Sequence, residues 1–211
     1  LRVRLKVTRG RTFAELGLDS FPLYLRGADD RSARLYEALV AHAETLIMRW
    51  GPFNARQWAM STAYPPVEAL GFEEDHALLP PGRHPFRGYR LLHEYFAFPT
   101  RFHFIELCAL AEGTRRCNTD TLELLIPLSR YDPMLEGMIE LERVVPYATP
   151  AINLFPRECD RTMVPDDPRA IHIVPDRSHP RDYEIHSVRR VRELTQGSSH
   201  ERELLPRHTL S

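Results

Sequence analysis

Ten histidines in 211 residues put metal chemistry first among the reactions this chain can be tested for. His76, His84, His93 and His103 cluster along the sequence, and His172, His179 and His186 recur every seven residues. Several of them converging on one ion would make a metal-dependent hydrolase or effector, in which the bound cation activates a water. The spacing argues against it. There is no HxH or HExxH, and His93-Glu94 has no second histidine four residues on, so no helical turn presents two imidazoles together. His172, His179 and His186 straddle a loop and two expected strands, which fixes no common geometry. His42 lies in an apolar helical stripe and reads as a packed, hydrogen-bonded side chain.

The other reactive groups are equally scattered. Glu94 and Glu106 can serve as an acid–base pair only if helix and strand bring them together, and nothing in their placement does so. Glu73-Glu74-Asp75 reads as a solvated acidic turn or helix start. Cys108 ends an apolar strand with no matched His and Asn pattern, as a buried structural thiol does. The chain carries no GxSxG elbow, no P-loop and no GxGxxG. The expectation is a protein with no catalytic residues, metal or cofactor. The alternative is the hydrolase or effector built on a histidine cluster.

Composition sets the class. The chain is 43% apolar and 27% charged with a formal net charge of −1, ordinary for a globular protein and weak grounds for nucleic-acid binding. Lys6 is the only lysine, so arginine supplies the remaining positive charge. Three cysteines (Cys108, Cys117 and Cys159) form no disulfide framework, and no apolar run is long enough for membrane insertion. Leu1–Val7 reads as a strand entered mid-protein, and the chain as an internal fragment of something longer.

The elements that would position these residues follow from periodicity. Val3, Leu5 and Val7 alternate with Arg2, Arg4 and Lys6, a half-buried strand with a cationic, solvated outer face. A second strand spans Phe21–Leu25, with Pro22 marking an edge or a strand start. Asp30 is the expected N-cap of a helix running to Trp50. Residues 53–87 form a proline-rich connector with a short helix near Glu73–Leu79. In Tyr89–Phe98, Leu91, Leu92, Tyr95 and Phe96 form one apolar face, and Arg90 and Glu94 pair across the other. The aromatics Tyr89, Tyr95, Phe96 and Phe98 are either core residues or anchors for a partner, with Arg90 beside them.

A strand covered on both faces follows at Phe102–Leu107, then a polar loop at Gly113–Thr121. Beyond it come a strand at Thr121–Leu128, a short helix around Met134–Leu141, and short strands at Val144–Tyr147, Ala151–Phe155 and Tyr183–Val191. The division is a strand–strand–helix lobe (1–52), the connector (53–87), a β-rich lobe (88–195) and a polar tail (196–211). The fold class is α+β, with a sandwich-like second half and a short aromatic helix.

Four segments carry a family resemblance: Leu70-Gly-Phe-Glu-Glu-Asp-His-Ala-Leu-Leu79, Gly88-Tyr-Arg-Leu-Leu-His-Glu-Tyr-Phe-Ala-Phe-Pro99, Pro150-Ala-Ile-Asn-Leu-Phe-Pro156, and Ile173-Val-Pro-Asp176 with Tyr183-Glu-Ile-His-Ser-Val188. In this order they resemble the TssF (ImpG, VasA) family of type VI secretion baseplate subunits. The resemblance implies a cytoplasmic structural subunit of a phage-like contractile machine, located near the inner membrane. It implies assembly with TssG, a second TssF copy, TssK, TssE and the spike hub, without catalysis. A carbohydrate-binding β-sandwich would instead need a planar row of exposed aromatics, which the sequence does not predict.

Overall fold

The computed structural model describes residues 1–52, 57–79, 87–136, 141–164, 171–195 and 201–204. They separate into two compact units, one up to Pro150 and the other from Ala151 onward.

The first unit holds two four-stranded antiparallel sheets over one apolar core. One sheet is ordered β1 (Arg2–Lys6), β7 (Thr121–Leu125), β3 (Ile47–Arg49), β4 (Trp58–Met60); the other is β5 (Val67–Ala69), β6 (Phe104–Leu107), β2 (Phe21–Leu25), β8 (Val144–Pro146). The period-2 alternation sets which side chains face in. Val3, Leu124, Met48 and Ala59 share one inward row, and Phe21, Leu107 and Val67 share one in the second sheet. Leu25, Leu46, Met48, Ile105, Leu107, Leu122 and Leu124 are fully buried in a single cluster to which both sheets contribute. Phe104 on the other face of β6 stacks on Tyr24 at 4.6 Å, so that strand is covered on both sides as expected.

Helices fill the margins of this core. α1 is one turn, Phe13–Leu16, anchored by buried Phe13. α2 spans Asp30–His42 and buries Ser32, Leu35, Ala38 and Leu39. The cap is Asp29 rather than Asp30: its carboxylate accepts from the Ser32 amide at 3.3 Å and from Arg143 at 2.9 Å. The Arg143 contact is the main reason the Asp29 carboxyl is held low, at about 2.

Several expectations change for physical reasons. The helix ends at His42, and Ile47–Arg49 form a strand, because these three residues pair with both β7 and β4. Pro22 is the second residue of β2, a strand start as read, although β2 is not an edge strand of its sheet. Leu25 donates its amide to His103 O, so the alternate amides, Pro22's place among them, face β8. β8 pairs only with Leu23–Leu25, which leaves no partner opposite the missing N–H. The connector contains β4 and β5, each three residues long. Glu73–Leu79 forms turns rather than a helix. The loop at Gly113 is α4, Ala111–Arg116, lying where an added Cβ on Gly113 would come 2.4 Å from Met48 Sδ. Around Met134 the chain makes a short 3-10 turn, Pro133–Leu135, and residues 137–140 lie outside the described set.

In the second unit Ala151–Phe155 and the run before Arg190 form no strand. The ordered pairing is instead a hairpin of β9 (Val191–Leu194) and β10 (Glu201–Leu204), the latter lying in what reads as a polar tail. Arg157 organises the rest: it pairs with Asp176 at 2.6 Å, donates to Tyr183 Oη at 2.7 Å and lies over the Tyr183 ring at 4.2 Å.

The cationic face of β1 is not simply solvated. Arg2 and Arg4 of β1 and Arg49 of β3 converge on Glu123 of β7, with Arg4 Nη2 at 2.8 Å and Arg49 Nε at 2.9 Å. Hydrogen bonds from Arg2, then Arg4 and Arg49, outweigh burial and lower the Glu123 carboxyl to about 2. A carboxylate depressed on folding contributes stability above its unfolded pKa, near ~4.3, and loses it as pH falls through the folded value. Acid titration followed by circular dichroism should therefore show Glu123→Gln with a flatter stability profile between pH ~4.5 and ~2 than the unaltered chain, and matching slopes would refute the assignment.

Candidate docking surface

The aromatic helix α3 (Arg87–Ala97) has amphipathic spacing, and the sequence alone would turn its apolar side inward. The structure turns it the other way. Glu94 is 2% exposed, whereas Tyr89 is 63%, Tyr95 53% and Phe96 80% exposed; Leu92 and Phe98 also face out. Arg90 and Leu91 are half-buried.

Polar bonds explain the inversion. Glu94 Oε1 accepts the amides of Leu78 at 3.0 Å and Leu79 at 3.2 Å. Its Oε2 accepts from Arg90 at 3.2 Å and lies 2.8 Å from Nε of Arg101, which is itself 2% exposed. Arg101 also donates to the His76 carbonyl, and Arg90 to those of Phe72 and Glu73 at 3.0 and 3.2 Å. One carboxylate thus joins α3, the 71–79 turns and the 3-10 turn Pro99–Phe102. Burial pushes the Glu94 carboxyl up, but the Leu79 and Leu78 amides with the charges of Arg101 and Arg90 bring it below its ordinary value. Gly71 completes the fit. Its φ is +109°, and a Cβ there would sit 2.2 Å from an Arg101 guanidinium nitrogen.

Over this polar hinge the rings form a chain. Phe72 lies 5.1 Å from Phe102, Tyr95 6.1 Å from Phe102, and Tyr95 5.7 Å from Phe96. Tyr95 and Phe96 meet edge to face at 77°, which provides no planar platform for a sugar ring. Tyr89, Tyr95, Phe96 and Phe98, which the sequence left as core residues or partner anchors, are exposed on this surface, and Arg90 lies beneath it as part of the hinge. Sequence reasoning missed Arg101, which the 3-10 turn Pro99–Phe102 folds back onto Glu94 and the His76 carbonyl.

The scattered titratable groups stay scattered. His103 Nδ1 is 3.1 Å from Gly27 O, His76 Nδ1 accepts the Gly71 amide at 3.3 Å, and His42 meets Ser129 at 3.4 Å. His84 lies outside the described residues. Among the described residues no group of three His, Cys, Asp or Glu side chains is placed to hold a metal ion. Cys108 is half-buried, and burial followed by the charges of Glu68 and Glu106 raises its thiol to about 11, far from a reactive thiolate. A shallow cleft of about 390 Å³ beside α4 is lined by Asp19, Glu112, Arg115 and Arg116 among others, with no histidine or cysteine. No helix among the described residues is long and apolar enough to cross a membrane.

This geometry presents an aromatic face outward above a buried ion pair. The model of the family described as "Type VI secretion system, TssF" matches residues 1–211, and the chain belongs to that family. It is 44% identical over 191 residues to type VI secretion system component TssF1 of Pseudomonas aeruginosa, covering 90% of this chain and 30% of that protein. It is also similar to a chain of a TssK-TssF-TssG baseplate subcomplex of the type VI secretion system, solved by cryo-electron microscopy, with a TM-score of 0.55, 26% identity, and coverage of 70% of this chain and 27% of that one. The chain thus spans under a third of the length of these relatives.

Two outcomes test the hinge. Arg101→Ala leaves Glu94 buried with Arg90 as its remaining cation, and should cost about 3 kcal/mol in urea denaturation; a loss within error of zero would show that the ion pair holds nothing. Gly71→Ala should lower the melting temperature by forcing both a strained φ and displacement of Arg101, whereas Gly10→Ala, whose Cβ meets nothing within 4 Å, isolates the cost of positive φ alone.

Proposed function

We propose that this chain is part of a type VI secretion baseplate wedge and acts by protein–protein assembly, without catalysis, metal or cofactor. The observation that carries this reading is the inverted helix α3: Glu94 is buried, Arg90 is half-buried, and Tyr89, Leu92, Tyr95 and Phe96, with Phe98 just beyond the helix, are presented outward. Exposed clusters of large aromatic side chains are the groups that contribute most at protein interfaces. The likeness to a chain of the TssK-TssF-TssG subcomplex makes TssG and TssK the first partners to place against this face. A second TssF copy, TssE and the spike hub complete the assembly that the family resemblance implies. The site of action is the cytoplasm, next to the inner membrane where the machine is anchored, with no nucleic acid and no membrane insertion.

Phe96 is the residue to change, because its side chain is almost wholly solvent-facing and substitution there should alter stability by no more than about 0.5 kcal/mol. In a full-length TssF carrying this segment, Phe96→Asp should reduce co-purification with TssG or TssK at least tenfold while leaving the melting temperature unchanged. Undiminished recovery of both partners would remove α3 as the docking element.

A further inference from the structure

A second surface lies on the outward face of the first sheet. Cross-strand register places Arg2, Leu125, Ile47 and Met60 in one row, and Arg4, Glu123, Arg49 and Trp58 in the next, with Lys6 beyond them opposite Thr121. Trp58 is 52% exposed and Met60 44%. The side chains of Arg2 and Arg4 are 55% and 61% exposed even while they bind Glu123. Lys6 reaches Asp120 only at 3.7 Å.

Among the described residues, the exposed cations Arg2 and Arg4 share the one carboxylate of Glu123, and Lys6 meets Asp120. The two exposed guanidiniums of Arg2 and Arg4 offer roughly ten N–H donors and one carboxylate about four acceptor sites, so Glu123 orients these two arginines without saturating them. Guanidinium forks match carboxylates in pairs of parallel hydrogen bonds. Beside them Met60 and Trp58 offer apolar surface that a purely polar ligand would leave wet. The net charge of −1 for the whole chain gives no long-range attraction for a polyanion such as a nucleic acid. We infer that this sheet face docks an acidic, apolar-bearing segment of another protein chain, whose carboxylates bridge Arg2, Arg4 and Lys6 while its apolar side chains cover Met60 and Trp58.

Trp58 reports on the event, since the other tryptophan, Trp50, is buried. The full chain is titrated at low ionic strength with a short synthetic peptide of alternating glutamate and leucine. Binding should shift Trp58 emission to the blue, weaken at least tenfold in high salt, and weaken similarly in Arg2→Gln/Arg4→Gln. Salt dependence of the unaltered chain keeps the test decisive if that variant fails to fold. An absent shift overturns the inference. So does equal binding of a lysine–leucine peptide, of leucine-free polyglutamate or of an RNA oligonucleotide, each of which would assign the face to another chemistry. Concentration-dependent self-association blocked by the peptide would assign it to a second copy and overturn it too. Phe96→Asp should leave peptide binding intact, so failure here is separable from failure at α3.

Discussion

Arrangement of the aromatic surface depends on one buried carboxylate. Glu94 accepts three hydrogen bonds, two from amides of the 71–79 turns and one from Arg90 one turn earlier on its own helix, and is in ion-pair contact with Arg101 from the next turn of chain. Without them a carboxylate at this depth would be strongly disfavoured, and the helix would roll to place its leucines and aromatics inward. With them, the polar side of α3 is the side that fits the body of the protein. The exposed rings are thus a consequence of where Glu94 finds partners, and their exposure costs apolar burial that the isolated chain does not recover.

The same logic, an acid used to position arginines, recurs on the first sheet. Glu123 draws together Arg2 and Arg4 of β1 and Arg49 of β3, two sequence regions that only the β1–β7–β3 order makes neighbours. In both places arginine rather than lysine makes the contact, in a chain with a single lysine. A guanidinium can bond a carboxylate and still present donors elsewhere, as Arg101 does to the His76 carbonyl and Arg90 to those of Phe72 and Glu73.

Period-2 alternation is why β1, β2, β6 and β7 were legible from sequence: each extends over four or five residues with one consistently apolar side. β4 and β5 are too short for any period to register, and prolines around them read as connector. α4 is hidden by Gly113 and Thr114, which suit a loop by propensity but are required by close packing on Met48 and by the Thr114 hydroxyl bond to Leu18 O at 2.7 Å. For α2, apolar residues continuing past His42 at helical spacing mimic one long stripe, although the last of them belong to a strand. In α3 the period gave the helix and its two faces correctly but not which face turns inward. That choice rests on Arg101 and on the Leu78 and Leu79 amides, and no local pattern reports such partners. The family was legible by a different route, from four ordered segments rather than from any one side chain.

Because Glu94 Oε1 takes two consecutive amides, Leu78 and Leu79 cannot shift along the helix without stranding both donors. The rings of Tyr95 and Phe96 are therefore presented on a backbone whose orientation is settled during folding. A partner docking there, as proposed, would meet a preformed template, and the entropy of aligning that helix would be lost before the encounter rather than during it.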